Sequence, residues 1–96
     1  MYGTIFNLSV KPGHEDELLS ILNSQNVPDG GVAWLVLKPD ENKSEWIGVA
    51  VFENKEKYES NANRPEQHEQ FLRMMEHLTC EPTWTDGEYI INQIIQ

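Results

Sequence analysis

The stretch 63–89, NRPEQHEQFLRMMEHLTCEPTWTDGEY, decides the fold of this chain. Pro65 suits the first turn of a helix, because its missing N–H group would have no partner there. Residues at helical spacing then form one stripe, consisting of His68, Phe71, Leu72, Met75 and Leu78. Pro82 prevents the helix from continuing. The pattern predicts one amphipathic helix from Pro65 to about Thr79, which needs a sheet to lie on.

The remaining residues supply that sheet. Alternation and turn residues predict strands at Tyr2–Val10, Val32–Lys38, Glu45–Glu53 and, after a turn at Gly87, Glu88–Ile91. Two further helices are predicted, one from His14 to about Gln25 and one from Lys55 to about Ala62. The order β-α-β-β-α(α)-β indicates an α+β, ferredoxin-like fold: a four-stranded antiparallel sheet with its helices on one face. Residues 1–96 make a single domain.

The charge balance excludes some partners. The chain carries 16 acidic and 7 basic residues, a net charge of −9, whereas nucleic acids and anionic membranes require a basic face. No apolar stretch approaches the ~20 residues of a membrane span, and the first residues lack the pattern of a signal peptide. Cys80 is the only cysteine, so no internal disulfide can form. We therefore expect a soluble, cytoplasmic protein.

The central strands are apolar on both faces, which an antiparallel sheet with one face in water should not be. Val32, Trp34 and Val36 alternate with Ala33, Leu35 and Leu37, and the strand 45–53 has the same character. The helices can cover only one face. We expect the other face to pack on a second copy in a two-fold homodimer, and the apolar tail (Ile90, Ile91, Ile94 and Ile95) to pack on that partner or to extend an edge strand.

Three segments carry a resemblance to a known family: NLSVKPGHEDELL (7–19), WIGVAVFENKEKY (46–58) and EPTWTDGEY (81–89). With these, the chain resembles the antibiotic biosynthesis monooxygenase-like domains of the dimeric α+β barrel superfamily over residues 2–91. The resemblance implies two sheets facing each other across a homodimer, with a small cavity between sheet and helices in each subunit. Some members oxidise polycyclic aromatic substrates with O2 and no cofactor, and others degrade haem.

Haem-degrading members use an asparagine on the first strand, a tryptophan on the helix after the third strand and a histidine on the next helix. Asn7 matches the first of these, but Asn61 and Phe71 stand at or near the other two positions. The resemblance therefore gives little support for haem degradation, and no cofactor is predicted.

Two residues are candidates for catalysis. Asn7 is a polar residue in an apolar strand and could hold a substrate oxygen, although a strand residue facing solvent or bonded to backbone is the alternative. His68 could act as a general base, although a histidine at the edge of the core is the alternative. The candidates for ligand binding are Tyr58, Arg64, Phe71, Met75 and Trp84, for which core packing or surface solvation is the alternative.

The sequence predicts no metal site. Its three histidines, at 14, 68 and 77, show neither i,i+4 nor HExxH spacing, and one cysteine cannot build a zinc cage. Only residues that are distant in sequence and brought together by folding could form a metal site.

Two functions remain open. One is a small monooxygenase-type domain that holds an apolar or aromatic molecule between sheet and helices and oxidises it without a cofactor. The other is a non-catalytic module of the same fold that binds a small molecule or a protein.

Overall fold

The computed structural model describes residues 1–24 and 27–95. Its elements, in chain order, are β1 (Tyr2–Ser9), α1 (Glu15–Asn23), β2 (Gly31–Leu37), β3 (Glu45–Phe52), α2 (Lys55–Ala62), α3 (Pro65–Met75) and β4 (Trp84–Glu88). The predicted end of the first helix near Gln25 lies outside the described residues. The Asn54 side chain caps α2 by accepting a hydrogen bond from the Lys57 N–H at 2.9 Å.

The four strands form one antiparallel sheet in the order β2-β3-β1-β4. This confirms the predicted ferredoxin-like arrangement of an α+β domain. The central strand β1 pairs with β3 from Tyr2↔Phe52 to Ser9↔Glu45, and with β4 from Tyr2↔Glu88 to Phe6↔Trp84. The first and last strands of the chain are therefore neighbours.

Two predicted boundaries near the C-terminus are wrong. The helix α3 ends at Met75, because Leu78 forms an isolated β-bridge with Val10 and the Thr79 N–H donates to the Ser9 carbonyl at 2.8 Å. The last strand is 84–88, not 88–91, because Gly87 lies opposite Gly3 in extended pairing where a turn was predicted.

The core lies between the helices and one face of the sheet. It consists of Phe6, Leu8, Val10, Leu18, Leu22, Trp46, Met74 and Leu78. Leu8 and Leu18 are completely buried. Alternate residues of β1 point into this core, as the sequence pattern predicted.

The opposite face of the sheet is apolar and uncovered within one chain. Ile5, Leu35, Leu37 and Ile47 on this face are 45%, 61%, 58% and 38% exposed. The Ile90, Ile91, Ile94 and Ile95 side chains of the tail are also exposed. An exposed apolar patch of this kind is typical of an interaction surface. It agrees with packing against a second copy, which stays a prediction. Within the described residues, no helix is both long and apolar enough to cross a membrane.

Candidate functional site

A cavity of about 540 Å³ lies between the helix-facing side of the sheet and helices α2 and α3. Such a volume is within the usual range for small-molecule sites. Aromatic rings form much of its wall. Phe6 packs against Trp34 on β2 and Trp84 on β4, with ring centroids 5.7 Å and 4.5 Å apart, and Phe71 on α3 lies 6.3 Å from Trp84. The wall therefore offers flat apolar surfaces to a ligand.

The absence of a side chain at Gly48 lets the Phe6 ring lie across the neighbouring strand. A Cβ atom at Gly48 would stand 2.3 Å from Phe6 Cζ, far inside van der Waals contact. Ala50, the next residue of β3 on this side, is also small and borders the cavity. Because Gly48 and Ala50 are small, the Phe6 ring packs close to the sheet, and the cavity remains open between the sheet and the helices.

Tyr58 on α2 borders the cavity and anchors that helix to the sheet. Its hydroxyl donates a hydrogen bond to the Asp86 carboxylate on β4 at 2.8 Å, and its ring packs against Tyr2 and Phe52. Burial, reinforced by the bond to Asp86, raises the pKa of Tyr58 to about 12. Tyr58 is consequently a neutral hydrogen-bonding group at physiological pH and cannot serve there as a phenolate base.

Gln70 on α3 brings an unpaired polar atom to the cavity. Its Oε1 is buried, and no described residue of the chain bonds to it. A buried amide oxygen without a partner costs about 1–3 kcal/mol, and such atoms in native structures call for an explanation. After rotation about its last side-chain bond the amide could instead present its N–H2 group. A ligand with a hydroxyl or carbonyl group would satisfy it.

His68 and Arg64 lie where α3 begins and also border the cavity. His68 is exposed, and no hydrogen bond to its imidazole occurs within the described residues. Arg64 is already paired, since its Nη1 donates to Asn61 Oδ1 at 3.1 Å and its Nε lies 3.5 Å from Glu66 Oε2. Because its guanidinium is already bonded to Asn61 and Glu66, Arg64 is less available to bind an anionic group of a ligand.

Five of the seven predicted site residues border the cavity: Tyr58, Arg64, His68, Phe71 and Trp84. Asn7 and Met75 do not. The Asn7 side chain lies on the opposite face of the sheet, where its Oδ1 accepts a hydrogen bond from the Thr83 N–H at 2.6 Å and fixes the approach to β4. Met75 packs against the core, and its neighbour Met74 borders the cavity instead. The structure thus separates Asn7 from His68.

Sequence reasoning missed the polar residues that α3 contributes. Gln67 and Gln70 both border the cavity, one helical turn apart. The available signal was position: Gln70 directly precedes Phe71 on the predicted apolar stripe, and Gln67 precedes His68. Sequence alone could not show that the oxygen of Gln70 would be left without a partner.

No protein-family model matches this sequence, and no curated protein matches it significantly. Solved structures resemble it closely in shape. One is a protein of Deinococcus radiodurans whose name provisionally assigns it as an antibiotic biosynthesis monooxygenase, with a TM-score of 0.81 and 17% identity over 100% of this chain and 99% of that one. A protein of Caulobacter crescentus with the same provisional name has a TM-score of 0.80 and 11% identity, covering 94% and 90% of the two chains.

A conserved protein of Methanosarcina mazei, whose name states no activity, is also similar, with a TM-score of 0.78 and 16% identity over 90% of this chain and 89% of that one. These TM-scores establish the fold, whereas identities this low leave the activity open. The chain therefore has the α+β fold of an antibiotic biosynthesis monooxygenase-like domain.

Proposed function

We propose that this chain binds a flat, fused-ring phenol or enol in the cavity between sheet and helices and oxidises it with O2. The observation that carries the proposal is the open cavity of about 540 Å³, which has aromatic walls and one buried amide oxygen without a partner among the described residues. Flat rings would stack on Phe6, Trp34 and Trp84, and Gln70 would bind the oxygen of the ligand. Its Oε1 would accept a hydrogen bond from a hydroxyl group, or its N–H2 group, after rotation of the amide, would donate to the carbonyl group of the keto tautomer.

The reaction requires little of the protein, because the substrate itself reduces O2. In a substrate such as anthrone, a CH2 group between two aromatic rings loses a proton to a base, and the resulting carbanion reduces O2 directly. The overall change is anthrone plus O2 to anthraquinone plus water, and the substrate supplies all four electrons. His68, whose imidazole borders the cavity, is the candidate base. The aromatic walls would shield the carbanion from water on the side that faces the sheet.

The second candidate function is binding without chemistry, through the same cavity. It is favoured by His68 itself, which is exposed and has no orienting hydrogen bond within the described residues. A catalytic base is usually held in place by a third group, although such contacts can tighten only when substrate binds.

Anthrone tests both candidates in two steps. Under argon, binding should quench the fluorescence of Trp34 and Trp84, which border the cavity, and leave that of Trp46, which is buried in the core. Trp46→Phe is therefore the matched control, in which the quenching should persist. Gln70→Leu should weaken binding by about tenfold, the equivalent of one hydrogen bond of roughly 1.4 kcal/mol.

In air, the wild type should consume one O2 per anthraquinone formed, above the spontaneous rate. His68→Ala should lose this excess rate and keep the binding seen under argon. Binding without excess O2 uptake in the wild type would select the non-catalytic function. Full turnover in His68→Ala would remove His68 as the base, and no quenching at all would refute an aromatic ligand in this cavity.

A further inference from the structure

Three side chains with metal-binding atoms converge on the far side of the core from the cavity. His14 precedes α1, Glu17 lies in its first turn, and His77 follows the end of α3. His14 Nδ1 and His77 Nδ1 are 2.9 Å apart, and His77 Nδ1 is 3.6 Å from Glu17 Oε2. One ligand atom from each residue lies within 4.8 Å of the others. None of the three borders the cavity.

The two imidazoles face each other through the same type of nitrogen. Only one of the two Nδ1 atoms can carry a hydrogen in a 2.9 Å contact, and the other must accept it. A metal ion could replace that shared proton and bind both nitrogens. With Zn–N bonds of 2.0–2.1 Å, a tetrahedral site needs its donor atoms about 3.3 Å apart. The observed separations of 2.9 Å and 3.6 Å are within a few tenths of an ångström of that value, and the third, between His14 and Glu17, is no more than 4.8 Å.

The backbone around the three residues is fixed before any metal binds. The Lys11 N–H donates to the His77 carbonyl at 2.9 Å, and the His14 N–H donates to the Lys11 carbonyl at 3.0 Å. The isolated bridge between Val10 and Leu78 lies directly beside this contact. The His77 side chain is only 12% exposed, whereas that of Glu17 is 70% exposed and can adjust to a ligand.

The charge around the cluster also favours a cation. Glu15, Asp16 and Glu17 are all in the first turn of α1, and the carboxyl end of α3 adds the negative end of its dipole. These negative charges outnumber the positive amino end of α1 and the Lys11 ammonium, which donates to the Glu76 carbonyl at 2.9 Å. The net charge of the whole chain is −9. We infer that His14, Glu17 and His77 form a site for a divalent first-row transition cation, with two imidazole ligands, one carboxylate and a fourth position for water.

This inference is independent of the proposed oxidation, because the site lies outside the cavity. Its physical consequence is a cross-link between the start of α1 and the end of α3, which would stabilise the folded chain by an amount that grows with the logarithm of the metal concentration. The ligand set suits Zn²⁺ and does not suit Mg²⁺, which prefers oxygen ligands.

Calorimetric titration of the chelator-treated protein with ZnCl2 tests the inference, with MgCl2 as the reference salt. We expect one Zn²⁺ per chain and a rise in Tm with Zn²⁺ but not with Mg²⁺. Glu17→Gln, at an exposed position, should weaken Zn²⁺ binding by at least about tenfold, and His77→Ala by about a hundredfold or more, since even partners of metal ligands contribute 10–100-fold.

Two matched controls isolate the cluster. Asp16→Asn removes a neighbouring carboxylate, and His68→Ala removes the remaining histidine of the chain; both should bind Zn²⁺ like the wild type. Circular dichroism shows which variants are folded, and Glu17→Gln keeps the test decisive if His77→Ala does not fold. The inference is overturned if Zn²⁺ binding is not saturable, or if folded Glu17→Gln binds it as tightly as Asp16→Asn.

Discussion

Gly48→Ala should lower the stability of the fold and reduce the space in the cavity, because the added Cβ would displace the Phe6 ring. The added Cβ would meet Phe6 Cζ, Cε2 and Cε1 at 2.3, 2.7 and 2.8 Å, where carbon atoms normally keep about 3.5–4.0 Å. Phe6 is only 4% exposed and cannot swing into solvent, so its ring must move by about 1 Å toward the cavity. Overpacking of this kind costs about 1–3 kcal/mol.

Urea unfolding at a fixed protein concentration measures this loss. For a domain of 96 residues, each kcal/mol corresponds to roughly 4–8 °C in Tm, so thermal unfolding should show a drop of about 5–20 °C. The displaced ring should also occupy part of the cavity, and the Gly48→Ala variant should bind anthrone more weakly under argon than the wild type.

Gly87→Ala is the matched control, because an added Cβ there meets nothing within 4 Å in the same sheet. Its stability should stay within about 1 kcal/mol of the wild type, or rise, since alanine lowers the entropy of the unfolded chain. The reasoning is refuted if Gly48→Ala unfolds within about 0.5 kcal/mol of the wild type and binds anthrone normally. In that case the Phe6 ring would have room that the structure does not show.

Three further predictions concern pH and assembly. The folded pKa of Tyr58, about 12, exceeds its ordinary value of 10.0, so between these pH values the folded chain keeps a proton that the unfolded chain has lost. The free energy of unfolding should therefore fall across that window, and Tyr58→Phe should flatten the fall; an unchanged slope would contradict it. Leu35→Asp on the uncovered sheet face should give a monomer by light scattering at micromolar concentration, whereas Leu19→Asp on exposed α1 should not. Deleting residues 92–96 should weaken the dimer, and an unchanged dissociation constant would count against a role for the tail.

The sequence predicted the order of elements and the apolar character of both sheet faces, because helix and strand periodicities are local properties. It misplaced the last strand, because Asp86-Gly87 is also a common turn pair. Its extended conformation is imposed by β1, about 80 residues earlier in the chain. No local pattern carries information about a partner at that distance.

The candidate site was predictable in part for the same reason. His68 and Phe71 share a helix face, which spacing reveals, and both border the cavity. Asn7 is a candidate only because of its residue type. The alternation along β1 places its side chain on the opposite face of the sheet from Phe6. The convergence of His14 with His77 joins positions 63 residues apart and depends on how α1 and α3 pack, so the sequence could exclude only the local metal motifs.

The pairing of β1 with both β3 and β4 has a consequence for biosynthesis. The register Tyr2↔Glu88 means that the second edge of β1 stays uncovered until residues 84–88 have been synthesised. Contacts this distant in sequence slow folding, because the entropy of closing a long loop is lost before the contacts form. Until synthesis reaches residue 88, a nascent chain with β1, β2 and β3 presents an open strand edge beside an apolar sheet face, which is the arrangement most prone to aggregation.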